Sequence, residues 1–282
     1  MKLLKLKSYA KINLSLNITG KLSSKLHKIE SLVSFINLYD ILHIRKINRK
    51  KHKIFFRGKF AKGINKKNTI SELLKALDSQ NLLKNQKFEI RIIKNIPHKS
   101  GLGGGSMNAA SIIDCFLRKK VFRLRKEKIN DLSKSIGSDV ILGIKPKNTV
   151  LSSNGKLTKF KKNINYHLLV VKPNFGCSTA LIYSKVKHLS KSKYNLPKLS
   201  LFNKYNIKNS KNELEQVAFK LYPKLRKIKF FLLELSNIIF ARMSGSGSSI
   251  IAYFHSKRDA DIAAKKFKRK FKSYWCITSK TI

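Results

Sequence analysis

A glycine-rich segment is the feature that most restricts what this chain can fold into. Residues 97–108 read PHKSGLGGGSMN, with four glycines among the five positions 101–105. Glycine allows positive φ and a close approach of the backbone to a ligand, because no Cβ intervenes. Successive N–H groups can then point into one concavity that suits an anion. The segment therefore predicts a phosphate-binding loop.

The residues on either side place this loop between a strand and a helix. Alternation of Phe88, Ile90 and Ile92 predicts a strand over 88–96, and Ser106 stands where a helix N-cap is expected. The apolar residues that then recur at helical spacing are Ala109, Ala110, Ile112, Ile113, Phe116 and Leu117. A helix N-terminus adds N–H donors and the positive end of its dipole. This placement favours a phosphate site over a flexible linker or a tight turn.

The loop differs from the two commonest glycine motifs that bind phosphate. A P-loop requires G-x-x-x-x-G-K-[ST], and no glycine of this segment is followed by a lysine and a hydroxyl residue. A dinucleotide-binding fingerprint starting at Gly101 would require glycine at position 106, where Ser106 stands. The loop thus predicts a phosphate site of another class, to which Lys99 and Ser106 can add a charge and a hydroxyl.

The remainder of the chain predicts a mixture of strands and helices. Alternating Ile12, Leu14, Leu16 and Ile18 indicate a half-buried strand over 10–18. Further predictions are a buried strand ending at Pro173, helix over 212–238 broken near Pro223, a glycine turn at 244–249, the strand IIAYF after it, and a helix over 260–271. The Lys-, Ser- and Asn-rich stretch 184–211 indicates a surface loop or lid. Strands and helices do not alternate strictly, so the predicted fold class is α+β, with a domain boundary near residue 160.

The charge of the chain has two interpretations. Lys and Arg total 62 against 14 Asp and Glu, which gives a formal charge of +48. Such a field attracts polyanions, so a nucleic-acid or membrane-surface binder is one interpretation. The other is mutational bias, since an A+T-rich genome favours lysine, asparagine, isoleucine and phenylalanine. The lysines are spread along the whole chain, which favours bias, and no aromatic stripe or single basic arm supports RNA binding.

Cysteine usage and hydropathy indicate a soluble cytoplasmic protein. Cys115, Cys177 and Cys276 are far apart, which predicts neither a zinc site nor a disulfide framework. Lysines near the N-terminus interrupt the apolar core that a signal peptide needs. No apolar run approaches the roughly 18 residues that a membrane span requires.

Several segments together resemble one group of small-molecule kinases. The run SGLGGGSMNAA resembles the ATP-binding signature of the galactokinase, homoserine kinase, mevalonate kinase and phosphomevalonate kinase superfamily. The N-terminal SYAKINLSLNITG is similar to the 4-diphosphocytidyl-2-C-methyl-D-erythritol kinase family, of the methylerythritol phosphate route to isoprenoid precursors. Further matches, in the family's order, are HKIESLVSFINLYDIL, GSDV, NELEQVAFKLYPKL and ARMSGSGSSIIAYF.

The resemblance implies an ATP-dependent kinase that phosphorylates the 2-hydroxyl of 4-diphosphocytidyl-2-C-methyl-D-erythritol, with Mg²⁺ accompanying ATP. It implies an N-terminal ATP-binding domain over 1–160 and a ferredoxin-like C-terminal domain over 161–282. The expected partner is the small cytidyl substrate, with no specific nucleic acid and no membrane, for a monomer or weak homodimer. Another kinase of the superfamily is the alternative, and the N-terminal segment and His27 argue against it.

The resemblance also implies roles for individual residues. Asp139 would receive the proton of the substrate hydroxyl, and Lys11 would orient that hydroxyl and stabilise negative charge. Asn13, His27 and Tyr183 would contact the substrate, with the tyrosine stacked on cytosine. The ATP-binding loop would comprise Pro97, His98, Lys99, Ser100, Gly101, Leu102, Gly103, Gly104, Gly105, Ser106 and Met107. No residue is predicted as a metal ligand.

The chain departs from the family pattern mainly in the loop on the cytidine side. The family writes A-D-G-Y-H where this chain has SSKLH at 23–27, so Leu26 replaces a tyrosine and Lys25 a glycine. Met107 and Lys99 each replace a small residue in the ATP loop. Loss of an aromatic ring removes a stacking surface for the base. We therefore expect catalysis to be retained and the cytidyl substrate to bind more weakly than is usual for the family.

Overall fold

The computed structural model describes residues 3–22, 27–162 and 164–282. The strands are β1 (Leu4–Lys21), β2 (His27–Ile47), β3 (Lys53–Arg57), β4 (Lys87–Ile93), β5 (Asn148–Leu151), β6 (Leu157–Phe160), β7 (His167–Lys172), β8 (Ile238–Met243), β9 (Ile250–Phe254) and β10 (Trp275–Lys280). The helices are α1 (Thr69–Ser79), α2 (Gly104–Arg118), α3 (Lys126–Ile136), α4 (Val140–Gly143), α5 (Thr179–Ser184), α6 (Lys204–Asn209), α7 (Leu214–Leu221), α8 (Pro223–Leu233) and α9 (Lys257–Lys270). Among the residues described, no helix combines the length and apolar character needed to cross a bilayer.

The chain divides into two compact units, each built from separate segments. The first contains residues up to Lys11, Leu38–His98 and Gly103–Pro146, and the second contains Ile12–Asn37, Lys99–Leu102 and Lys147–Ile282. The long strands β1 and β2 therefore contribute residues to both units. The domain limits predicted from the sequence, 1–160 and 161–282, form one boundary along the chain and remain a prediction. The compact units differ from these predicted domains because Ile12–Asn37, which lies early in the sequence, belongs to the second unit.

The first unit packs helices against a small sheet. Strand β4 pairs antiparallel with β2 and parallel with β3. Phe88, Ile90 and Ile92 are buried, as their alternation predicts, and they pack with apolar residues of α1 and α2. The predicted strand over 88–96 ends earlier, at Ile93. The chain leaves the sheet at Lys94, which places a buried lysine directly before the glycine loop.

The second unit contains a four-stranded antiparallel sheet in the order β10-β7-β9-β8. Helices α5 to α8 connect β7 to β8, and α9 connects β9 to β10. This β-α-β-β-α-β arrangement is ferredoxin-like, so the predicted architecture and the α+β class are confirmed. The predicted break near Pro223 is also confirmed, since α7 ends at Leu221 and α8 begins at Pro223. Proline suits the first helical position because its missing N–H would have no partner there.

Strand β1 alternates as predicted, but the expectation that it is half-buried is wrong. Ile12, Leu14, Leu16 and Ile18 are buried, and so are the intervening polar side chains. Those polar residues are Asn13, Ser15 and Asn17, and Lys11, directly before Ile12, is buried as well. Buried polar groups need hydrogen-bond partners, and this stripe has them in ion pairs and side-chain bonds. The polar face of β1 is therefore buried and held by specific partners.

The stretch over 184–211 is more ordered than a surface loop. It contains a 3-10 turn at Leu199–Phe202 and helix α6, and its side chains Tyr194, Phe202 and Ile207 are buried. The guanidinium of Arg242 donates to the carbonyls of Ile207, at 2.9 Å, and Lys208, at 3.1 Å. The composition predicted an exposed loop because lysine, serine and asparagine predominate in this stretch. The few apolar residues among them are the ones that pack into the core.

Candidate active site

The first unit brings together the two predicted catalytic residues. Lys11 Nζ lies 3.2 Å from Asp139 Oδ2. Lys11 is buried, whereas the Asp139 side chain keeps 36% of its surface exposed. Asp139 directly precedes α4 but makes no capping hydrogen bond to that helix. An accessible carboxylate beside a buried ammonium group can accept a proton while the ammonium stabilises developing negative charge.

Gly103 leaves the space that the Lys11 side chain occupies. This residue has a φ of +70°, and a Cβ there would lie 2.9 Å from Lys11 Cγ and 3.2 Å from Lys11 Cε. Any larger residue would need both a left-handed backbone and a displaced lysine. The glycine loop thus contributes to the position of Lys11 as well as to a phosphate site.

Several residues of the loop have a left-handed backbone. Positive φ recurs at alternate residues, with +47° at Lys99, +74° at Gly101 and +70° at Gly103. Alternation of left- and right-handed residues turns successive N–H groups toward one side. The side chains of Ser100 and Leu102 are buried.

Helix α2 begins one turn earlier than the sequence predicted. Its N-cap is Gly103, with no side-chain capping bond, and Ser106 lies inside the first turn. The prediction of Ser106 as N-cap is wrong because glycine, which also caps helices, takes that position. The helix N-terminus consequently presents N–H groups that no cap side chain occupies, as an anion site requires. The Ser106 hydroxyl lies 3.7 Å from where a Cβ of Gly137 would be, near the turn that leads to Asp139.

A buried polar network below the glycine loop was not predicted. Asp40 is fully buried, and its Oδ1 accepts the backbone N–H groups of Asn95, at 2.7 Å, and Ile96, at 2.9 Å. Its Oδ2 accepts Asn108 Nδ2 at 3.0 Å and pairs with Lys94 Nζ. The ammonium group of Lys94 also lies 3.3 Å from where a Cβ of Gly104 would be. One carboxylate thus holds residues on both sides of the loop. An aspartate within the apolar segment FINLYDIL was the only signal for it in the sequence.

In the second unit, the glycine turn at 244–249 packs on residues 99–101. Ser244 Oγ donates to the Gly101 carbonyl at 2.9 Å and accepts the backbone N–H of Asn13 at 3.2 Å. The N–H of Ser249 donates to the Ser100 carbonyl at 3.1 Å. A Cβ at Gly101 would lie 2.0 Å from the Ser244 carbonyl oxygen, so only glycine fits there. These contacts therefore fix Ser100 and Gly101 of the loop within the second unit.

Two of the predicted substrate-binding residues lie side by side in the second unit. The rings of His27 and Tyr183 have centroids 5.3 Å apart and planes inclined by 39°. Both ring nitrogens of His27 are buried, and neither has a hydrogen-bond partner within the described structure. Burial lowers the pKa of His27, and nearby Lys21 lowers it further, so the neutral ring is favoured. Neutral imidazole with two orphan nitrogens suits a polar ligand.

The third predicted substrate residue and the remaining loop residues are also placed. Asn13 Nδ2 donates to Ser31 Oγ at 2.9 Å, which fixes its orientation. Pro97 is buried, and His98 Nε2 hydrogen bonds to the Phe60 carbonyl. Met107 is buried, with its sulfur 2.8 Å from where a Cβ of Gly143 would be, so this side chain belongs to the core. The substitutions predicted to weaken substrate binding, Lys25 and Leu26, lie outside the described residues.

Within the described ranges, no group of three or more His, Cys, Asp and Glu side chains could hold a metal ion.

Two family models match the chain. GHMP kinases N terminal domain matches residues 67–146, and GHMP kinases C terminal matches residues 194–273. Together they span more than half of the sequence. The first match contains the glycine loop and Asp139, and the second contains the glycine turn at 244–249.

The similarity to curated proteins extends over the full length. The chain is 58% identical over 278 residues to a protein of Pelagibacter ubique named 4-diphosphocytidyl-2-C-methyl-D-erythritol kinase, covering 99% of each. A protein of the same name from Clostridium kluyveri is 35% identical over 279 residues, covering 95% of this chain and 96% of that protein.

Solved structures show the same fold. A crystal structure of 4-(cytidine 5'-diphospho)-2C-methyl-D-erythritol kinase superposes with a TM-score of 0.77 at 21% identity, covering 98% of this chain and 99% of that one. Homoserine kinase from Cytophaga hutchinsonii superposes with a TM-score of 0.71 at 16% identity, covering 100% of this chain and 95% of that one.

Proposed function

Because the chain belongs to the 4-diphosphocytidyl-2-C-methyl-D-erythritol kinase family of the GHMP kinases, we propose that it transfers the γ-phosphoryl group of ATP to the 2-hydroxyl of 4-diphosphocytidyl-2-C-methyl-D-erythritol. The structural observation that carries this proposal is the 3.2 Å pair of Lys11 and Asp139. Phosphoryl transfer to an alcohol needs an aligned nucleophile and electrostatic support more than covalent catalysis.

In the proposed reaction, Asp139 accepts the proton of the substrate hydroxyl as that oxygen attacks the γ-phosphorus. The bond from the γ-phosphorus to the bridging oxygen breaks, and ADP leaves with the electron pair. Lys11 orients the hydroxyl and stabilises negative charge on the oxygens in the transition state. Burial of Lys11 strengthens this effect, since charges interact more strongly where water is scarce.

The backbone of the glycine loop is proposed to bind the phosphates of ATP. The start of α2 presents backbone N–H groups that no cap side chain occupies, and the positive φ of Gly103 suits a close approach of the main chain to a phosphate. Mg²⁺ supplies charge neutralisation on the phosphates when bound. The Ser106 hydroxyl and the Asp139 carboxylate would help to hold such an ion, with phosphate oxygens and water as its other ligands.

His27 and Tyr183 are proposed to hold the cytosine. An aromatic ring next to His27 offers a stacking face, and the two orphan ring nitrogens offer one donor and one acceptor in the neutral form. Asn13, fixed by Ser31, would contact the substrate from the same strand that carries Lys11. These contacts select a pyrimidine nucleotide over a simple alcohol such as mevalonate.

A product analysis tests the reaction. We expect ³¹P NMR to show a new phosphate monoester and ADP when the chain is incubated with ATP, Mg²⁺ and the cytidyl alcohol. Omission of Mg²⁺ should abolish product formation, and ATP without the alcohol should remain intact. Formation of ADP and free phosphate without a monoester would contradict the proposed acceptor.

We also propose that the enzyme is cytoplasmic and acts as a monomer or weak homodimer. The support for the compartment is chemical, because Cys115 and Cys177 are buried thiols that form no disulfide, as is usual in a reducing compartment. Light scattering across a range of protein concentrations tests the oligomeric state. A stable assembly larger than a dimer would contradict it.

A further inference from the structure

Glu30 is a buried carboxylate that the proposed chemistry does not use. It is 0% exposed and lies on β2, three residues after His27. Within the described residues, no lysine, arginine or histidine forms an ion pair with it. An isolated buried charge is costly unless hydrogen bonds compensate for lost hydration. Glu30 therefore requires a specific set of donors.

Those donors come largely from one segment far away in the sequence. The carboxylate accepts the backbone N–H groups of Lys193 and Tyr194 and the Ser192 hydroxyl, each at 3.0 Å. Asn17 Nδ2 adds a fourth donor at 2.9 Å. Hydrogen bonds to an ionised acceptor are the strong ones, and two backbone donors fix the path of the main chain. Glu30 consequently clamps residues 192–194 onto the strand that carries His27.

Neighbouring bonds extend the clamp along the same segment. Ser190 N–H donates to the Ile18 carbonyl at 2.7 Å, and Ile18 N–H donates to Glu213 Oε2 at 2.7 Å. Tyr194 OH donates to Ser15 Oγ at 3.0 Å. Residues 190–194 are thus held against β1. Of the two carboxylates in these contacts, Glu30 of β2 is fully buried and Glu213 is half-buried.

The clamped segment leads back to the aromatic partner of His27. Tyr183 lies in α5, which ends at Ser184, only a few residues before Ser190. Between them, Val186 is buried, so the connection is short and anchored. Fixing residues 190–194 to β2 therefore restricts where Tyr183 can lie relative to His27. Small changes in such a spacing alter stacking and hydrogen bonding to a bound base.

We propose that Glu30 is a positioning residue that sets the spacing of His27 and Tyr183 and thereby the affinity for the cytosine of the substrate. The inference rests on the proposed function, because it assumes that these two rings hold the base. The Glu30 carboxylate is fully buried and occupied by four donors, so it is not available for direct contact with the base or the reacting atoms. Its effect should appear in binding of the cytidyl group and not in the chemical step.

The test compares Glu30→Gln with a matched variant, Glu89→Gln. Glutamine keeps the shape but directs an amide N–H₂ group at backbone donors, so the clamp loosens. We expect Glu30→Gln to raise KM for the cytidyl substrate about tenfold, with kcat and KM for ATP within about twofold. Glu89 is a buried glutamate of the first unit, paired with Arg45 and Arg91. Its substitution should leave KM for the cytidyl substrate unchanged.

Two milder variants and a binding measurement keep the test decisive if Glu30→Gln folds poorly. Tyr194→Phe and Ser192→Ala each remove one hydrogen bond of the clamp, and each should raise the same KM severalfold. Calorimetry with cytidine 5'-diphosphate should show the matching loss of affinity without turnover.

An unchanged KM in all three variants, or a fall in kcat and ATP binding equal to the loss of substrate binding, would overturn the positioning role. If the unmodified chain phosphorylates the cytidyl alcohol while the variants behave normally, only this inference fails. If the unmodified chain forms no monoester, the proposed function fails as well.

Discussion

At the scale of single residues, the catalytic assignment depends on a lysine and an aspartate that lie far apart in the sequence. Lys11 is one of 62 basic residues, and nothing in its local pattern separates it from the others. The structure separates it, because its ammonium group is buried and lies 3.2 Å from a partly exposed carboxylate. A buried cation next to an accessible base is unusual for a structural ion pair.

Asp139→Asn and Lys11→Ala should each lower kcat by at least about 100-fold and change KM for ATP only a few-fold. The reason is that the proposed mechanism uses both groups in the transition state and not in binding ATP. Steady-state kinetics with circular dichroism as a check on folding measures this. Asp114→Asn is the control, because Asp114 pairs with the exposed Arg118. This variant should have a normal kcat. Near-normal kcat in either catalytic variant would contradict the role assignment.

Gly103→Ala should lower kcat strongly, because the new Cβ would lie within 2.9 Å of the Lys11 stem and displace the ammonium group. Gly63→Ala is the matched control. Gly63 also has a positive φ, of +83°, but no atom lies within 4 Å of its Cβ position. Both variants share the backbone strain, so a difference in kcat with an unchanged KM for ATP reports the contact with Lys11. Equal effects of the two substitutions would show that the contact does not matter.

We expect KM for the cytidyl substrate to depend on pH through the protonation of His27. Burial lowers its pKa from 6.5, so the ring is neutral at neutral pH and becomes protonated only as the pH falls below that value. Protonation converts the acceptor nitrogen into a donor and buries a charge. KM for the cytidyl substrate should therefore rise as the pH falls through the lowered pKa, while KM for ATP does not follow it. The His27→Gln variant should show no such rise, and a rise that persists in this variant would assign it to another group.

At the scale of secondary-structure elements, the Asp40 network holds the residues before and after the glycine loop. Asp40 lies on β2, Lys94 follows β4, and Asn108 lies in α2, so one carboxylate joins three elements. Removing one partner of a buried ion pair leaves an uncompensated charge, which is more costly than losing both. The network therefore couples loop geometry to the stability of the first unit.

Asp40→Asn should lower the free energy of unfolding by about 3–5 kcal/mol, because Lys94 stays buried without its counter-charge. Adding Lys94→Met to the Asp40→Asn variant should recover part of that loss, since the unpaired charge is removed. Urea denaturation of both variants measures the difference. Glu89→Gln is the control, because the arginine partners of Glu89 are half exposed and such pairs contribute only about 0–1 kcal/mol. A double variant less stable than Asp40→Asn alone would contradict this explanation.

Elements with a clear local pattern were predicted well from the sequence. The strand, loop and helix around residues 88–118, the break at Pro223 and the strand after the glycine turn all form. The start of α2 was misplaced because Gly103 acts as the N-cap, which local composition does not distinguish from Ser106. The buried polar face of β1 was missed because alternation reports which residues share a face and not what covers that face.

The partners of buried charges could not be predicted, because they lie far away in the sequence. Asp40 contacts residues more than fifty positions away, and Glu30 contacts residues more than 160 positions away. No periodicity or spacing indicates such pairs. The family resemblance pointed to Lys11, Asp139, His27 and Tyr183, but it contained no information on the residues that hold them in place.

At the scale of the whole molecule, the charge of +48 is the property least explained by a kinase reaction. Anionic substrates need only local positive charge, and the basic residues are spread along the entire sequence. If the charge reflects mutational bias, binding to RNA should be weak, indifferent to sequence and steeply dependent on salt. Filter binding with several unrelated RNAs between low and physiological salt measures this. Tight binding to a single RNA at physiological salt would instead assign the charge a function.

The acceptor that this chain phosphorylates is identified most directly by kcat/KM for ADP formation across a panel of alcohols. The panel contains 4-diphosphocytidyl-2-C-methyl-D-erythritol, mevalonate and homoserine, each with saturating ATP and Mg²⁺. We expect turnover with the cytidyl alcohol. For mevalonate and homoserine, kcat/KM should be lower by at least about 1,000-fold, because neither has a base that can contact His27 and Tyr183. A preference for mevalonate or homoserine, or no turnover with the cytidyl alcohol in a folded protein, would contradict the account.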